Sequence, residues 1–343
     1  MKNIIRKQKI LIGVPTTRSS AYISKTLSHY LTEINHLRDE YPNLSLAICL
    51  NGVRDNEYEK TRNTIQLFIK EQDQMKIELL EHDQQSKNEA INIILNYAKK
   101  ERCDILHLLD DDVQIKLGSI SENLSALIAK TKEYECPVLV GSHYLAKSKR
   151  LLACQNKKHS LLKVLKEWLL YQIFSLPYRQ PTAPPKMCSG QSMAAWVKDF
   201  PTLPSNDVAD DAYFSNYFVA INRDRIRSQN VQPIVKPENS IIYFDVADNL
   251  KEWRAQRLRN MVLISKTAKL FDRDHDFIES FYAWPFSYMR RYRRKPDYKW
   301  QLRIIYRIYI WLLNSVEKQT KAFYQNDDTP EWGIAMSTKL IYE

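Results

Sequence analysis

The strongest constraint on the fold is an alternation of apolar runs and amphipathic segments over the first 141 residues. Short apolar runs predict five buried strands, at 9–14, 44–50, 76–80, 105–109 and 137–141. Helical spacing between the runs predicts helices at 19–38, 55–71, 86–99 and 119–132. Strands separated by helices favour an α/β fold with a mostly parallel central sheet flanked by helices.

The pattern is less regular beyond residue 141. An apolar helix is predicted at 161–176, and a Pro-rich linker follows it. The next predicted elements are a strand, turn and strand at 186–197, a helix from Asp207 to Phe218, a strand at 240–246 and a helix at 249–265. From about residue 266 the chain is predicted to be helical. We expect two halves of one domain, 1–145 and 146–265, and a helical extension over 266–343.

Composition excludes several classes of protein. The chain has 343 residues, 44% hydrophobic and 27% charged, which is typical of a folded protein with one large or two smaller domains. We find no repeat of fixed period, no apolar run near the roughly 18 residues of a membrane span, and no signal-peptide cleavage site. The five cysteines are scattered, which favours buried thiols in a reduced compartment over disulfides or a zinc site. We therefore expect a cytoplasmic protein.

Polar residues follow the predicted strands, at the edge where parallel sheets bind ligands. The last of these groups is an aspartate triplet, Asp110-Asp111-Asp112, directly after the 105–109 strand. Two carboxylates spaced one residue apart can both reach one hard divalent cation, which leaves coordination positions open for phosphate oxygens. The alternative is a solvated acidic turn. The position of the triplet after an apolar strand favours the metal site.

Two further groups have a functional and a structural interpretation. Among Asp207, Asp210 and Asp211, one carboxylate is a candidate general base, and the alternative is a capped helix start whose acids offset the helix dipole. On the 249–265 helix, the arginines of Gln256-Arg257-x-Arg259 suit diphosphate oxygens. The alternative interpretation is that these arginines form an ordinary basic helix face.

These motifs occur together in the order of a known family. Pro15-Thr16 is similar to the Pro-Thr that ends its first strand, and Asn51-Gly52-x-x-Asp55 to its D/N-G-S-x-D turn. Ser86-Lys87-x-x-Ala90-x-Asn92 resembles G-K-x-x-A-x-N, and Asp110-x-Asp112 resembles the D-x-D metal motif. Ser189-Gly190-Gln191, Asp210-Asp211 and Gln256-Arg257-x-Arg259 are similar to the acceptor-side glycine loop, the E-D pair and Q-R-x-R-W. Over Ile10 to Asn260 the chain therefore resembles the family-two glycosyltransferases.

The resemblance implies a GT-A fold, with 1–145 as the nucleotide-sugar-binding half and 146–265 as the acceptor-side half. It implies an inverting hexosyltransferase of polysaccharide biosynthesis that uses a UDP- or GDP-linked sugar and a glycan or lipid-linked acceptor. The residues implied to bind the donor are Pro15, Thr16, Asn51, Asp55, Lys87, Asp110, Asp111, Gln256, Arg257 and Arg259. Gly190 and Gln191 are implied on the acceptor side. Asp112, with Asp110, would hold Mn²⁺ or Mg²⁺, and Asp211, beside Asp210, would be the catalytic base.

The net charge of +11 is concentrated near the C-terminus. Eight basic residues and one acid lie between Arg290 and Arg307, and aromatic residues are interleaved over 284–313. This combination suits an anionic membrane surface, which would place the protein on the inner face of the membrane, with Trp168 of the 161–176 helix assisting. The alternative is a helix packed on the core with a solvated basic edge. Nucleic-acid binding ranks lower because no nucleic-acid fold signature accompanies the charge.

Two other functions compete with glycosyl transfer. A sugar nucleotidyltransferase would use the same fold, although no Gly-rich phosphate loop follows the first strand. A non-catalytic protein that binds anionic lipid or RNA would use only the basic segment.

Overall fold

The computed structural model describes residues 8–17, 20–72, 75–147, 161–176, 187–188, 190–204, 208–247, 249–282 and 300–326. They form two units, one from the described parts of 1–144 and 185–242, the other from those of 145–184 and 243–341. The predicted subdivision at residues 145 and 265 stays a prediction.

Strands and helices alternate along the first unit. The strands of the described chain are β1 (Ile10–Thr16), β2 (Leu44–Asn51), β3 (Ile77–His82), β4 (Ile105–Leu109), β5 (Gln114–Ile115), β6 (Leu139–Gly141), β7 (His143–Lys147), β8 (Ser192–Trp196), β9 (Ile234–Val235) and β10 (Ile241–Asp245). The helices are α1 (Ile23–Leu37), α2 (Asn56–Lys70), α3 (Lys87–Lys100), α4 (Ser119–Tyr134), α5 (Leu161–Ser175), α6 (Asp210–Ile221), α7 (Arg223–Gln229), α8 (Leu250–Lys269), α9 (His275–Phe281) and α10 (Trp300–Asn326).

The main sheet has the order β3-β2-β1-β4-β8-β6-β9. β1 is parallel to β2 and β4, and β2 is parallel to β3, whereas β8 is antiparallel to both of its neighbours, β4 and β6. The prediction of an α/β fold with a mostly parallel sheet flanked by helices is therefore confirmed. A smaller sheet has the order β5-β10-β7, and the chain passes from one unit to the other within β7 and within β10.

Continuous burial explains the central strands. Every residue of β1 and of β2 is buried, as expected for parallel strands covered by helices on both faces. Gly13 lets α3 approach β1 closely, because a Cβ at this position would lie 2.5 Å from Cγ2 of Ile94. The residue type at 13 is thus set by the contact between the helix and the sheet.

The sequence predictions are wrong or incomplete in a few places. Of the two strands predicted at 186–197, the second is β8; Lys186 and Ser189 lie outside the described residues, so the first stays a prediction, and the backbone N–H of Cys188 donates to Ser215 Oγ at 3.0 Å. The helix predicted from Asp207 to Phe218 is α6, which begins at Asp210; Asp207 lies outside the described residues. The short elements β5, β7, β9 and α7 were not predicted.

An aromatic core holds the second unit together. Trp253 of α8 stacks on Phe174 of α5 with ring centroids 5.5 Å apart, and Tyr309 of α10 meets the same indole edge-on at 5.8 Å. All three side chains are buried. Parts of the predicted helical extension thus pack with α5 and α8 within one core.

In the part of the chain that the structure describes, no helix is long and apolar enough to cross a membrane. The basic and aromatic residues predicted to dock on a membrane between 284 and 299 lie outside the described residues.

Gly13→Val tests the contact between α3 and β1. Adding side-chain atoms where a Cβ already lies 2.5 Å from Ile94 is expected to lower the free energy of unfolding by about 1–3 kcal/mol, because close-packed cores tolerate added volume poorly. The measurement is urea-induced unfolding followed by circular dichroism. Leu67→Ala, at a site that is 61% exposed on α2, is the control and should change stability by less than about 0.5 kcal/mol. A Gly13→Val variant as stable as this control would contradict the packing argument.

Candidate active site

The carboxyl ends of parallel strands bring the predicted residues to one edge of the first unit. β1, β2 and β4 run in the same direction, so Thr16, Asn51 and Asp110 all lie at this edge. Pro15 and Thr16 are the last two residues of β1, and Asn51 is the last residue of β2. The predicted donor-binding residues of the first unit therefore come from neighbouring strand ends.

Asn51 connects this edge to the start of α3. Its Nδ2 donates to the carbonyl oxygen of Thr16 at 2.7 Å, and its Oδ1 accepts from the backbone N–H of Ser86 at 3.1 Å. Ser86 is the N-cap of α3, since its hydroxyl accepts from the N–H of Glu89 at 3.0 Å. Asn51 thus fixes the turn from which Lys87 projects.

The aspartate triplet divides into a buried and two half-buried side chains. Asp111 is 3% exposed, and its Oδ2 accepts from the Thr16 hydroxyl at 2.6 Å and the Tyr22 hydroxyl at 3.4 Å. Asp110 and Asp112 remain partly exposed. The carboxylate of Asp111 is thus hydrogen-bonded to the end of β1, whereas the carboxylates of Asp110 and Asp112 are partly accessible to solvent.

Helix α1 clamps the backbone of the triplet. The Thr26 hydroxyl donates to the carbonyl oxygen of Asp111 at 3.0 Å, and the Tyr30 hydroxyl donates to that of Asp110 and lies 3.2 Å from that of Val113. Because backbone carbonyls of the triplet are held by buried hydroxyls, the carboxylates of Asp110 and Asp112 start from a fixed main chain.

Lys87 joins the two acidic groups. Its Nζ lies 2.7 Å from Oδ1 of Asp110 and 3.0 Å from Oδ2 of Asp210, so it links the end of β4 to the first turn of α6. Removal from water acts against the ammonium, but the charges of Asp110 and Asp210 outweigh it and raise the pKa of Lys87. The amine is therefore a permanent positive charge between two carboxylates.

The acids around Lys87 have altered proton affinities. Burial raises the pKa of Asp110 to about 7; Lys87 opposes this shift, and the charges of Asp112 and Asp210 reinforce it. Burial also raises the pKa of Asp211 to about 6, assisted by the charge of Asp210. A carboxylate with a pKa near neutrality is a stronger base than an ordinary aspartate.

Gly190 allows the loop before β8 to lie against the acids of α6. A Cβ at Gly190 would lie 2.9 Å from Oδ2 of Asp210, and the backbone N–H of Gly190 bonds to Asp211. The carbonyl oxygen of Gln191 accepts from the N–H of Asp110 at 3.2 Å. The structure thus brings Gly190 and Gln191 together with both acidic groups, while Ser189 lies outside the described residues.

Two asparagines of α3 position α6: Asn92, which ends the motif that begins at Ser86, and Asn88, which the motif leaves open. On α3, Asn92 exchanges two hydrogen bonds with the backbone of Leu203, at 3.0 and 2.8 Å, and Asn88 Nδ2 donates to the carbonyl oxygen of Val208 at 3.3 Å. Both asparagines are buried. The helix that carries Lys87 therefore also holds the segment that leads to Asp210; the available signal was two amides on the inner face of a predicted helix.

A buried polar network beneath β4 was also missed. His107, which is fully buried with its pKa lowered to about 3 by desolvation, lies 3.1 Å from the Ser192 hydroxyl through Nε2. Asn123 Nδ2 and the Ser192 hydroxyl both contact the hydroxyl of Ser142, which also accepts from Ser240 at 2.8 Å. This neutral network fixes β8 against β4. A histidine within the apolar run of β4 was the sequence signal.

The remaining predicted residues lie elsewhere or act locally. Asp55 caps α2, accepting from the N–H groups of Glu57 and Tyr58 at 3.1 and 2.9 Å, which confirms the predicted helix start. Gln256, Arg257 and Arg259 belong to α8 of the second unit, where Arg257 is 5% exposed and its guanidinium carbon is 5.8 Å from the ring centroid of Trp253. The donor-binding roles of Asp55 and of these three residues stay predictions.

The carboxylates at this edge fit a metal ion whose remaining ligands come from a substrate. In the described residues, no group of three or more His, Cys, Asp or Glu side chains is arranged to hold a metal ion by itself. Mg²⁺ typically binds to one or two carboxylates together with substrate phosphates rather than within an all-protein cage. Asp110 and Asp112, both partly exposed at the sheet edge, agree with this second arrangement.

Comparisons with known proteins are informative at the level of the fold. Neither a family model nor a curated protein matches the sequence. Among solved structures, the chain is similar to the mannosyltransferase PcManGT from Pyrobaculum calidifontis in complex with GDP-Man and Mn²⁺, at a TM-score of 0.57 and 12% identity over 94% of this chain and 88% of that one. S. aureus TarS 1–349 matches at a TM-score of 0.38 and 12% identity, over 93% and 92% of the two chains.

The mostly parallel sheet and the first of these similarities define the fold as α/β. More specifically, the chain has the GT-A fold. The fold inferred from the motif order is therefore confirmed.

Lys87→Met tests whether the ammonium stabilises the paired carboxylates. We expect the free energy of unfolding to fall by about 1–2 kcal/mol, less than the roughly 3–5 kcal/mol of a fully buried pair, because Lys87 is 42% exposed. Adding Asp210→Asn should recover part of this loss by removing an unpaired charge. The measurement is urea-induced unfolding without nucleotide or metal.

The control for this cycle is Arg54→Met. Arg54 Nε lies 2.9 Å from Asp83 Oδ1, but the two side chains are 59% and 71% exposed, so no change in the unfolding midpoint is expected. Equal effects of Lys87→Met and Arg54→Met would show that the ion pairs of Lys87 stabilise the fold no more than an exposed ion pair does.

Proposed function

We propose that the first unit is an inverting, metal-dependent glycosyltransferase that moves a sugar from a nucleoside-diphosphate donor to an acceptor hydroxyl. One observation carries the proposal: Lys87 pairs with Asp110 at the end of β4 and with Asp210 at the start of α6, and Asp211 is the next residue. A cation-binding group and a candidate base thereby lie in one neighbourhood of a GT-A fold.

Unsatisfied polar atoms at the ends of β1 and β3 support a nucleotide site. Within the described residues, Thr17 Oγ1 and His82 Nε2 are buried without a hydrogen-bond partner. Gly52 lies between them: a Cβ there would be 3.3 Å from Thr17 Oγ1, and its N–H donates to the carbonyl oxygen of His82. Because buried polar groups are nearly always paired, a ligand with its own donors and acceptors is expected here. A UDP- or GDP-linked sugar meets this requirement.

The metal site of the proposal consists of Asp110 and Asp112. A hard cation such as Mn²⁺ or Mg²⁺, when bound there, would neutralise the charge that builds on a departing diphosphate. The mannosyltransferase of similar fold was solved with GDP-Man and Mn²⁺, which agrees with a donor and metal of this type. Lys87 contributes a positive charge beside Asp110 whether or not the metal is bound.

Asp211 is the base in the proposed reaction. Its carboxylate takes the proton of the acceptor hydroxyl as that oxygen forms a bond to the anomeric carbon. The bond from the same carbon to the diphosphate breaks, and its electron pair leaves with the diphosphate oxygen. Attack opposite to the leaving group inverts the anomeric centre. Hydrogen bonds from the N–H groups of Ala212 and Gly190 hold the carboxylate in place, and Asp210 and Lys87 hold the neighbouring charges.

The acceptor in this proposal is a hydroxyl of a glycan or of a lipid-linked glycan. The enzyme would be of the hexosyltransferase type, as the motif resemblance implies. Gly190 and Gln191 lie beside Asp210 and Asp110, so their backbone is the described segment best placed to contact such an acceptor.

Asp112→Asn and Asp211→Asn separate donor binding from chemistry. UDP- and GDP-sugars with Mn²⁺ are first screened by thermal shift, since a ligand selective for the native state raises the melting point. We expect Asp112→Asn to lose the Mn²⁺-dependent shift. Asp211→Asn should keep the shift and lower the transfer rate by about 10²–10⁴-fold, the usual contribution of a general base. The exposed Asp83→Asn is the control; wild-type transfer by both site variants would refute the proposal.

The pH dependence of transfer gives an independent check. Asp211 must be ionised to accept a proton, and burial raises its pKa to about 6. At saturating Mn²⁺ and donor, which keep Asp110 ionised, kcat/KM for the acceptor is therefore expected to be level above this pH and to fall about tenfold for each unit below it. A profile that stays flat down to the ordinary pKa range of an aspartate would exclude Asp211 as the base.

A further inference from the structure

The second unit presents large apolar side chains to solvent on two helices. On α5, Leu162 is 79% exposed, Leu165 56% and Trp168 41%. On α10, Ile304 is 56% and Trp311 69% exposed. Burying such side chains removes them from water, and neighbouring exposed apolar groups on a folded protein commonly mark an interaction site.

The exposed residues of α10 lie on one face of the helix. Ile304, Arg307, Trp311 and Lys318 recur at spacings of three, four and seven residues, which places them along one stripe. The opposite stripe is the core face, where Ile305, Tyr309, Leu312, Leu313 and Val316 are buried. The helix is thus amphipathic, with an outer face that is itself mixed apolar and cationic.

Positive charge accompanies the apolar residues on both helices. Lys163 and Lys166 are exposed on α5, and Arg303 and Arg307 are exposed on α10. The natural partner of such a surface carries negative charge and accepts aliphatic and indole side chains.

We propose that the outer faces of α5 and α10 dock the protein on an anionic lipid surface. Lysine and arginine contact the headgroups, while leucine, isoleucine and tryptophan enter the boundary between headgroups and acyl chains. A nucleic acid would account for the cations and the tryptophans but not for exposed Leu162, Leu165 and Ile304. The proposal concerns the second unit alone and stands whether or not the first unit transfers a sugar.

Vesicle flotation of the full chain tests the proposal. Wild-type protein is expected to bind mixed phosphatidylglycerol–phosphatidylcholine vesicles and not pure phosphatidylcholine vesicles. Arg303→Gln with Arg307→Gln should weaken binding about thirtyfold, since each cation near an anionic surface contributes about one kcal/mol. Leu162→Ser with Leu165→Ser should weaken it at least about tenfold. All substituted residues are exposed, so the melting temperature should not change.

The control is Leu67→Ser, which removes a leucine that is 61% exposed on α2 of the first unit and should bind vesicles as the wild type does. Lipids brominated near the headgroup should quench tryptophan fluorescence in the wild type and do so less in Trp311→Phe. Wild-type protein that binds neither vesicle, or variants that bind like the wild type, would overturn the proposal. So would variants that dissociate a dimer in sedimentation velocity, or release a single-stranded RNA probe, without any change in vesicle binding.

Discussion

The ion-paired position of Lys87 is the interaction on which the proposed active site depends. Its ammonium satisfies a carboxylate at the end of β4 and another at the start of α6, segments 100 residues apart in the sequence. Without that charge, Asp110 and Asp210 would repel each other at an edge that, in the proposed reaction, also accepts a diphosphate. Two uncharged residues of α3 also connect this helix to the chain before α6. Asn88 and Asn92 hydrogen-bond to the backbone carbonyls of Val208 and Leu203 and to the N–H of Leu203.

Much of the first unit could be predicted from sequence because its signals are local. An apolar run such as 44–50 identifies a strand buried on both faces, and a carboxylate such as that of Asp55 at a helix start identifies a cap. The parallel order of β1, β2 and β4 then placed Thr16, Asn51 and Asp110 at one edge.

The rest depended on contacts between distant segments, which no local pattern encodes. The three aspartates of the triplet are alike in sequence. In the structure, only the carboxylate of Asp111 is buried and accepts hydrogen bonds from Thr16 and Tyr22, whereas Asp110 and Asp112 are partly exposed. No local pattern indicates that Ser215, on a helix later in the chain, accepts a hydrogen bond from the N–H of Cys188. His107 could be located in a strand, but its role required knowing that Ser192 lies beside it.

The reversal of β8 has a consequence for how such a protein can diversify. Because β8 runs against β4, the segment that enters it, not the one that leaves it, reaches the ligand edge beside Asp110. The pairing of Leu109 with Ser192 and the buried hydroxyls behind it anchor the strand from within the sheet. In the proposed reaction, substitutions at Gly190 and Gln191 would therefore alter the acceptor side of the site while the register of β8 is kept, which is a route to a new acceptor preference.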